Sequence, residues 1–158
     1  MEQPKLTIEA VPSTTWYENL RHTIPAKQWD TIRKLIYKKA NYRCEICGGK
    51  GERHPVEAHE LWTYDDENHV QTLVGLIALC PPCHRVKHIV RTIGIGNHQE
   101  AIEHLMVVND WAEIEIAEKY VAESLRLFDR RSTYKWTVNM DWLENFLVIN
   151  NIAQERLF

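Results

Sequence analysis

All four cysteines of this chain fall in two C-x2-C pairs, Cys44-Glu45-Ile46-Cys47 and Cys80-Pro81-Pro82-Cys83, with the 32 residues from Gly48 through Leu79 between them. Two knuckles of that spacing can present four thiolates to one tetrahedral zinc ion, and Gly48-Gly49 permits the tight turn a knuckle needs. Two disulfides or a redox C-x2-C are the other uses of such pairs, but no further cysteines exist to build a disulfide framework. Directly after the second pair come His84-Arg85-Val86-Lys87-His88, with Arg91 three residues on. On a helix, His84, His88 and Arg91 share one face, while Val86, Ile89, Val90 and Ile93 fall on the other and pack inward. Two imidazoles one turn apart can hold a divalent metal only with a third ligand from elsewhere. His59, in Val56-Glu57-Ala58-His59-Glu60-Leu61, is the best candidate. Three neutral imidazoles favour Zn2+, Ni2+ or Mn2+ over Mg2+, and their protonation weakens binding as pH falls through about 6.5. The plain alternative makes all three histidines ordinary polar residues beside a structural zinc.

The run Val56-Glu57-Ala58-His59, followed by Leu76-Ile77-Ala78-Leu79-Cys80-Pro81-Pro82-Cys83-His84 and His88, resembles the HNH (His-Me finger) endonucleases. More narrowly it is similar to the subgroup whose ββα-metal motif carries a four-cysteine zinc. That resemblance implies a β-hairpin and a helix holding one catalytic divalent ion over a scissile phosphodiester. It places His59 at the first metal-binding histidine and His84 at the last motif residue. His88 matches an additional ligand of colicin-type members, and Arg91 is a phosphate contact with Arg85 or Lys87 on the flanking backbone. Two positions depart from the family pattern. Glu60 stands where a second histidine usually acts as general base, and the middle asparagine falls near Gly75. In a register slid by one residue, His59 becomes the base and Ala58 replaces the first ligand. Glu60 can act as a base if burial or a neighbouring carboxylate lifts its pKa from about 4.3 toward neutrality, although successive strand residues point to opposite faces. His69 and His54 are reserve bases.

Two functions follow as expectations. One is a metal-dependent endonuclease acting on nucleic acid, with DNA as the expected polymer, a structural zinc and a second divalent ion (Zn2+, Ni2+, Mn2+ or Mg2+). The other is a catalytically degenerate HNH fold serving as a zinc-stapled module that binds DNA or a protein.

The elements that must position these residues are legible from periodicity. The expected class is α+β, mainly helical, with a zinc-stapled ββα core, flanking helices and a small β element. The chain of 158 residues is read as one domain. Residues 1–43 form an N-terminal arm and helix, 44–91 the zinc-bearing core, and 92–158 a helical extension. Lys5–Val11 alternates Leu6, Ile8 and Ala10 as a short strand would, and Trp16 and Tyr17 anchor the arm. Pro25 to about Ala40 carries the stripe Trp29, Ile32, Leu35 and Ile36 of a helix, with Asn41 as its stop. The His59 strand pairs with Val70–Leu79 across the acidic linker Thr63–Asn68. The helix after Cys80 runs to about Thr92. Asn97 or His98 starts another helix carrying Ile102, Leu105 and Met106. Asp110 is a candidate N-cap for a longer one through about Phe128, striped by Ile114, Ala117, Val121, Leu125 and Phe128. A strand is expected at 134–140, then a short helix capped by Asp141.

Charge is unevenly spread over a net −3. Residues 21–91 carry 12 Lys+Arg against 8 Asp+Glu, whereas 92–158 carry 6 against 11. A mildly basic motif region suits a polyanionic substrate, and the acidic C-terminal part suits a protein partner. The chain has no apolar run long enough for a bilayer and no signal peptide, so a cytoplasmic location without a membrane partner is expected.

Overall fold

Val, Ile, Leu and aromatic residues around the motif build an antiparallel hairpin, and everything else in the computed structural model, which describes residues 3–152, packs around it. Strand β1 (Glu57–Asp65) pairs with β2 (Val70–Leu79) in the register Glu57↔Leu79, His59↔Ile77 and Asp65↔Val70. The tip is closed by Asp65, whose Oδ1 accepts the Glu67 and Asn68 amides at 3.0 and 2.9 Å. Its Oδ2 accepts from Asn68 Nδ2. Asp66 is clamped by Nε and Nη2 of Arg131 at 2.8 and 3.0 Å. Asp65 and Asp66 therefore spend their charge locally, six residues or more up the hairpin from His59, about 20 Å away at strand rise.

Alternation along β2 sends Ala78 and Leu79 to opposite sides. Ala78 joins Val56, Ile32, Ile36 and Leu147 in one core, built with α2 (Ala26–Lys39) and α7 (Trp142–Ile149). Leu79 joins Cys80, Cys83, Val86 and Ile89 in a second. That core comes from α3 (Pro81–Lys87), α4 (Ile89–Gly94), α5 (His98–Asn109) and α6 (Ile114–Ser132), with Ala101, Leu105, Ala117 and Val121. A short α1 (Leu20–Thr23) precedes α2, and β3 (Thr137–Asn139) lies parallel to β2. The protein is thus α+β, with seven α-helices and one three-stranded sheet among the described residues.

Four expectations about elements change. Lys5–Val11 forms no strand: it bends at Lys5 and Leu6 and is irregular after them. Leu6 and Ala10 are buried as its alternation required. Its peptide groups are met elsewhere: the Leu6 amide by Asn109 Oδ1, the Ile8 amide by Tyr120 Oη and the Glu9 amide by the Lys87 carbonyl. The helix after Cys80 breaks at His88 (φ −102°, ψ 46°) into α3 and α4. Buried Thr92 donates its hydroxyl to the Arg85 carbonyl at 2.7 Å, satisfying an acceptor the break leaves without its helical partner. Asp110 takes the left-handed conformation (φ 54°) that ends α5, and Glu113 precedes α6 instead. The strand expected at 134–140 is confined to 137–139, because Tyr134 stacks on His69 and Trp136 Nε1 bonds the Arg131 carbonyl.

Candidate metal centres

The first knuckle is a turn held by its own backbone. The Gly48 amide donates to the Cys44 carbonyl and the Cys44 amide to the Gly49 carbonyl, both at 2.9 Å. Gly48 sits at φ +78°, where a side chain is strained, and a Cβ on Gly51 would lie 2.2 Å from the His54 carbonyl. The Glu45 side chain accepts the Ala78 amide at 2.7 Å while the Glu45 amide donates to the Ala78 carbonyl, which ties the knuckle to β2. Cys80 is the N-cap of α3, with proline in the first turn where no amide is needed.

These anchors bring Cys44, Cys47, Cys80 and Cys83 together with all four Sγ atoms within 4.8 Å of one another. None forms a disulfide. Cys47 Sγ and Cys80 Sγ are 3.6 Å apart, close to the edge of about 3.8 Å expected for thiolates 2.3 Å from one tetrahedral ion. Hydrogen bonds from Cys80 and Cys83 pull the Cys44 thiol down, while sharing with Cys44 pushes Cys83 up and Cys80 up to about 12. A cation bound at the centre of the cluster would replace those protons. The Cys47 and Gly49 amides point at Cys44 Sγ and Cys47 Sγ, and His104 Nε2 of α5 lies 3.1 Å from Cys83 Sγ. The sequence carries no signal for His104, because it reaches the cluster only through the α3–α5 packing.

Cys83 is followed at once by the second constellation. His59 on β1, His84 in α3 and His88 at the helix break form a triangle with ring centroids 5.1, 5.0 and 4.8 Å apart. One nitrogen of each lies within 4.8 Å of the others. Burial pushes His59 below the usual imidazole range, and it holds His88 down at about 3, with repulsion from its two histidine neighbours adding to the effect. Both are therefore neutral near pH 7, with a lone pair to offer a cation. Glu57, two residues before His59 on the same strand face, reaches Nδ1 of His84 with Oε2 and Nε2 of His54 with Oε1. Its bond to His84 lowers the Glu57 carboxyl to about 2. With Nδ1 engaged, His84 has Nε2 left for a ligand, the arrangement found around metal-binding histidines. Period-two spacing from His59 was the available signal for Glu57.

The remaining sequence candidates lie elsewhere. Glu60 falls on the other side of β1 and accepts the Leu20 amide at 2.8 Å, outside the three-histidine group. Ala58 packs with the α2 core. Arg91 and Arg85 are exposed, but Lys87 is buried, with Nζ on Thr7 Oγ1 at 2.7 Å, so it is not a surface phosphate contact. His69 is at the far end of the hairpin, stacked on Tyr134, and His54 is held by Glu57.

Burial raises the Glu60 carboxyl from 4.5 to about 7. A raised acid stabilises the fold below its unfolded pKa and loses that contribution as pH climbs from about 4.5 through 7. Glu60→Gln keeps an acceptor for the Leu20 amide without the ionisation cost. The variant should be more stable than the parent at pH 8, by on the order of 2 kcal/mol, with the gap closing toward pH 5. Urea unfolding at the two pH values measures this, and an equal gap at both would contradict it.

No protein-family model, curated protein or solved structure matches the chain.

Proposed function

We propose that the protein is a metal-dependent, HNH-type endonuclease that hydrolyses phosphodiester bonds in nucleic acid, with DNA as the expected substrate. One observation carries this reading: three imidazoles from a β-hairpin and the helix following it converge within ligand distance, directly beside a four-thiol cluster to which that helix contributes Cys83. A purely structural fold stapled at the cysteines has no need of a second donor set.

In this reading Cys44, Cys47, Cys80 and Cys83 hold a structural zinc, and His59, His84 and His88 hold the working ion. A divalent ion there supplies polarisation of a phosphate oxygen, stabilisation of the departing 3′-oxygen and acidification of water. Glu57 fixes the His84 ring, and exposed Arg91 and Arg85 meet the flanking phosphates. Glu60 has the pKa of a useful base but is aimed at α1. Its part is to anchor Leu20, and Glu60→Gln should leave cleavage within a few-fold. A drop of ~10²–10⁴-fold with metal retained would restore Glu60 as general base.

The binding-module reading draws on the same displacement of Glu60 and on glycine at position 75; its partner is DNA, or else a protein docked on the acidic C-terminal part. Plasmid nicking with Mg2+, Mn2+, Ni2+ or Zn2+ decides between the two. Metal-dependent nicks that vanish in His59→Ala are expected. Binding of DNA without cleavage, with both metal centres loaded, would favour the module.

A further inference from the structure

Among the described residues, three buried side-chain polar atoms have no hydrogen-bond partner, and two of them face each other: His59 Nε2 and Glu9 Oε2. They lie 3.0 Å apart, yet not in hydrogen-bonding geometry. Side-chain exposure is 3% for His59 and 11% for Glu9, so water does not readily satisfy either. An orphaned buried carboxylate oxygen costs on the order of 1–3 kcal/mol or more, and such an atom calls for a reason. Two donors bound 2.0–2.2 Å from one ion and subtending roughly 90–109° are about 2.8–3.6 Å apart. The Glu9–His59 separation is that of two ligands of a shared ion.

The chain takes trouble to put Glu9 there. Its amide donates to the Lys87 carbonyl at 3.1 Å, next to the His88 break, and Arg131 holds the following carbonyl, of Ala10, at 2.9 Å. Buried Lys87 Nζ lies 4.0 Å from Glu9 Oε1, the oxygen turned away from His59. One carboxylate oxygen thus has a cationic neighbour, and the other faces His59 Nε2 from just outside the three-histidine group. We propose that Glu9, carried in by the N-terminal arm, is a fourth protein ligand of the ion held by His59, His84 and His88. The inference rests on the three-histidine site of the proposed function. A carboxylate in the set halves the net charge of a buried divalent centre, lowering the cost of its desolvation. It also makes the arm a metal-dependent part of the fold.

Zinc binding tests this in the full chain. Wild type should take up two Zn2+ per chain. Glu9→Gln, which keeps shape and removes the anionic donor, should still take up the first. It should bind the second ~100-fold or more weakly by chelator competition, beyond the roughly 10–100-fold typical of an outer-sphere partner. In wild type, zinc should slow hydrogen exchange of the Ile8 and Glu9 amides, and in Glu9→Gln it should not. A crystal of the zinc-loaded protein should place Glu9 Oε2 about 2.0–2.2 Å from the second ion. Second-site affinity within about three-fold of wild type, or a crystal with Glu9 hydrogen-bonded to Nε2 and zinc on Nδ1, would overturn the ligand role while leaving the histidine site standing. A wild-type protein that binds one Zn2+ only would remove the histidine site itself.

Discussion

Cys80→Ser is expected to abolish the folded state: the variant should be insoluble or unfolded, with zinc content below one per chain. Cys80 is 2% exposed, is the N-cap of α3, and sits 3.6 Å from the Cys47 thiol, so the hydroxyl would join a cluster built for thiolates. Ligation of a structural zinc of this kind is worth on the order of 10 kcal/mol of folding free energy, comparable to the whole stability of a domain. No other contact in that core can offset such a loss, since removing even a large buried side chain costs only about 2–5 kcal/mol. Metal analysis and thermal unfolding of the purified variant check the result. A soluble Cys80→Ser protein with unchanged melting and undiminished zinc would show that the thiols serve no metal.

His84→Ala is expected to have the second largest effect, and on function instead of folding. The substitution removes one of three converging imidazoles and leaves Glu57 with a single histidine partner, His54. His84 is only partly buried, so the fold should survive. Second-ion binding should fall to background and metal-dependent cleavage with it, while the cysteine centre keeps its zinc. Because burial holds His59 and His88 neutral, with His88 down at about 3, protons should displace the ion from wild type below pH 6.5, at lower pH than free imidazole would set. Titrating zinc retention against pH, with His84→Ala as the blank, measures both. Retained second-site zinc and retained nicking in His84→Ala would end the three-histidine reading.

What the sequence made legible was whatever spacing and periodicity encode directly. The paired cysteines, the His84–His88 interval and the strand-forming run Val70–Leu79 all concern neighbours along the chain, and the structure places those side chains accordingly. The break at His88 was not legible, because Thr92 stabilises it by reaching back seven residues to a carbonyl within a stretch of otherwise unbroken helical pattern. Asp110 shows a different limit. Aspartate suits both the start of a helix and the left-handed residue after one, and only the packing of α5 against α6 decides between them. The arm departs from its pattern for a third reason. Its alternation reported burial correctly, but a strand also needs a partner edge, and Leu6, Ile8 and Glu9 find an asparagine, a tyrosine and a helix end instead. Glu9, Glu57 and His104 matter through contacts of that kind, so composition around the motif could not single out Glu9 or His104.

Cys83 and His84 are consecutive residues of α3. Their Cα atoms are fixed about 3.8 Å apart by covalent geometry, so the thiol cluster and the imidazole triangle share one lever. Oxidising the thiols, or stripping them with a chelator, would swing His84 and His88 out of register with His59 without any reagent touching a histidine. In the proposed reading, an ion at the cysteines would fix the helix that carries His84, so emptying the first centre is expected to weaken the second.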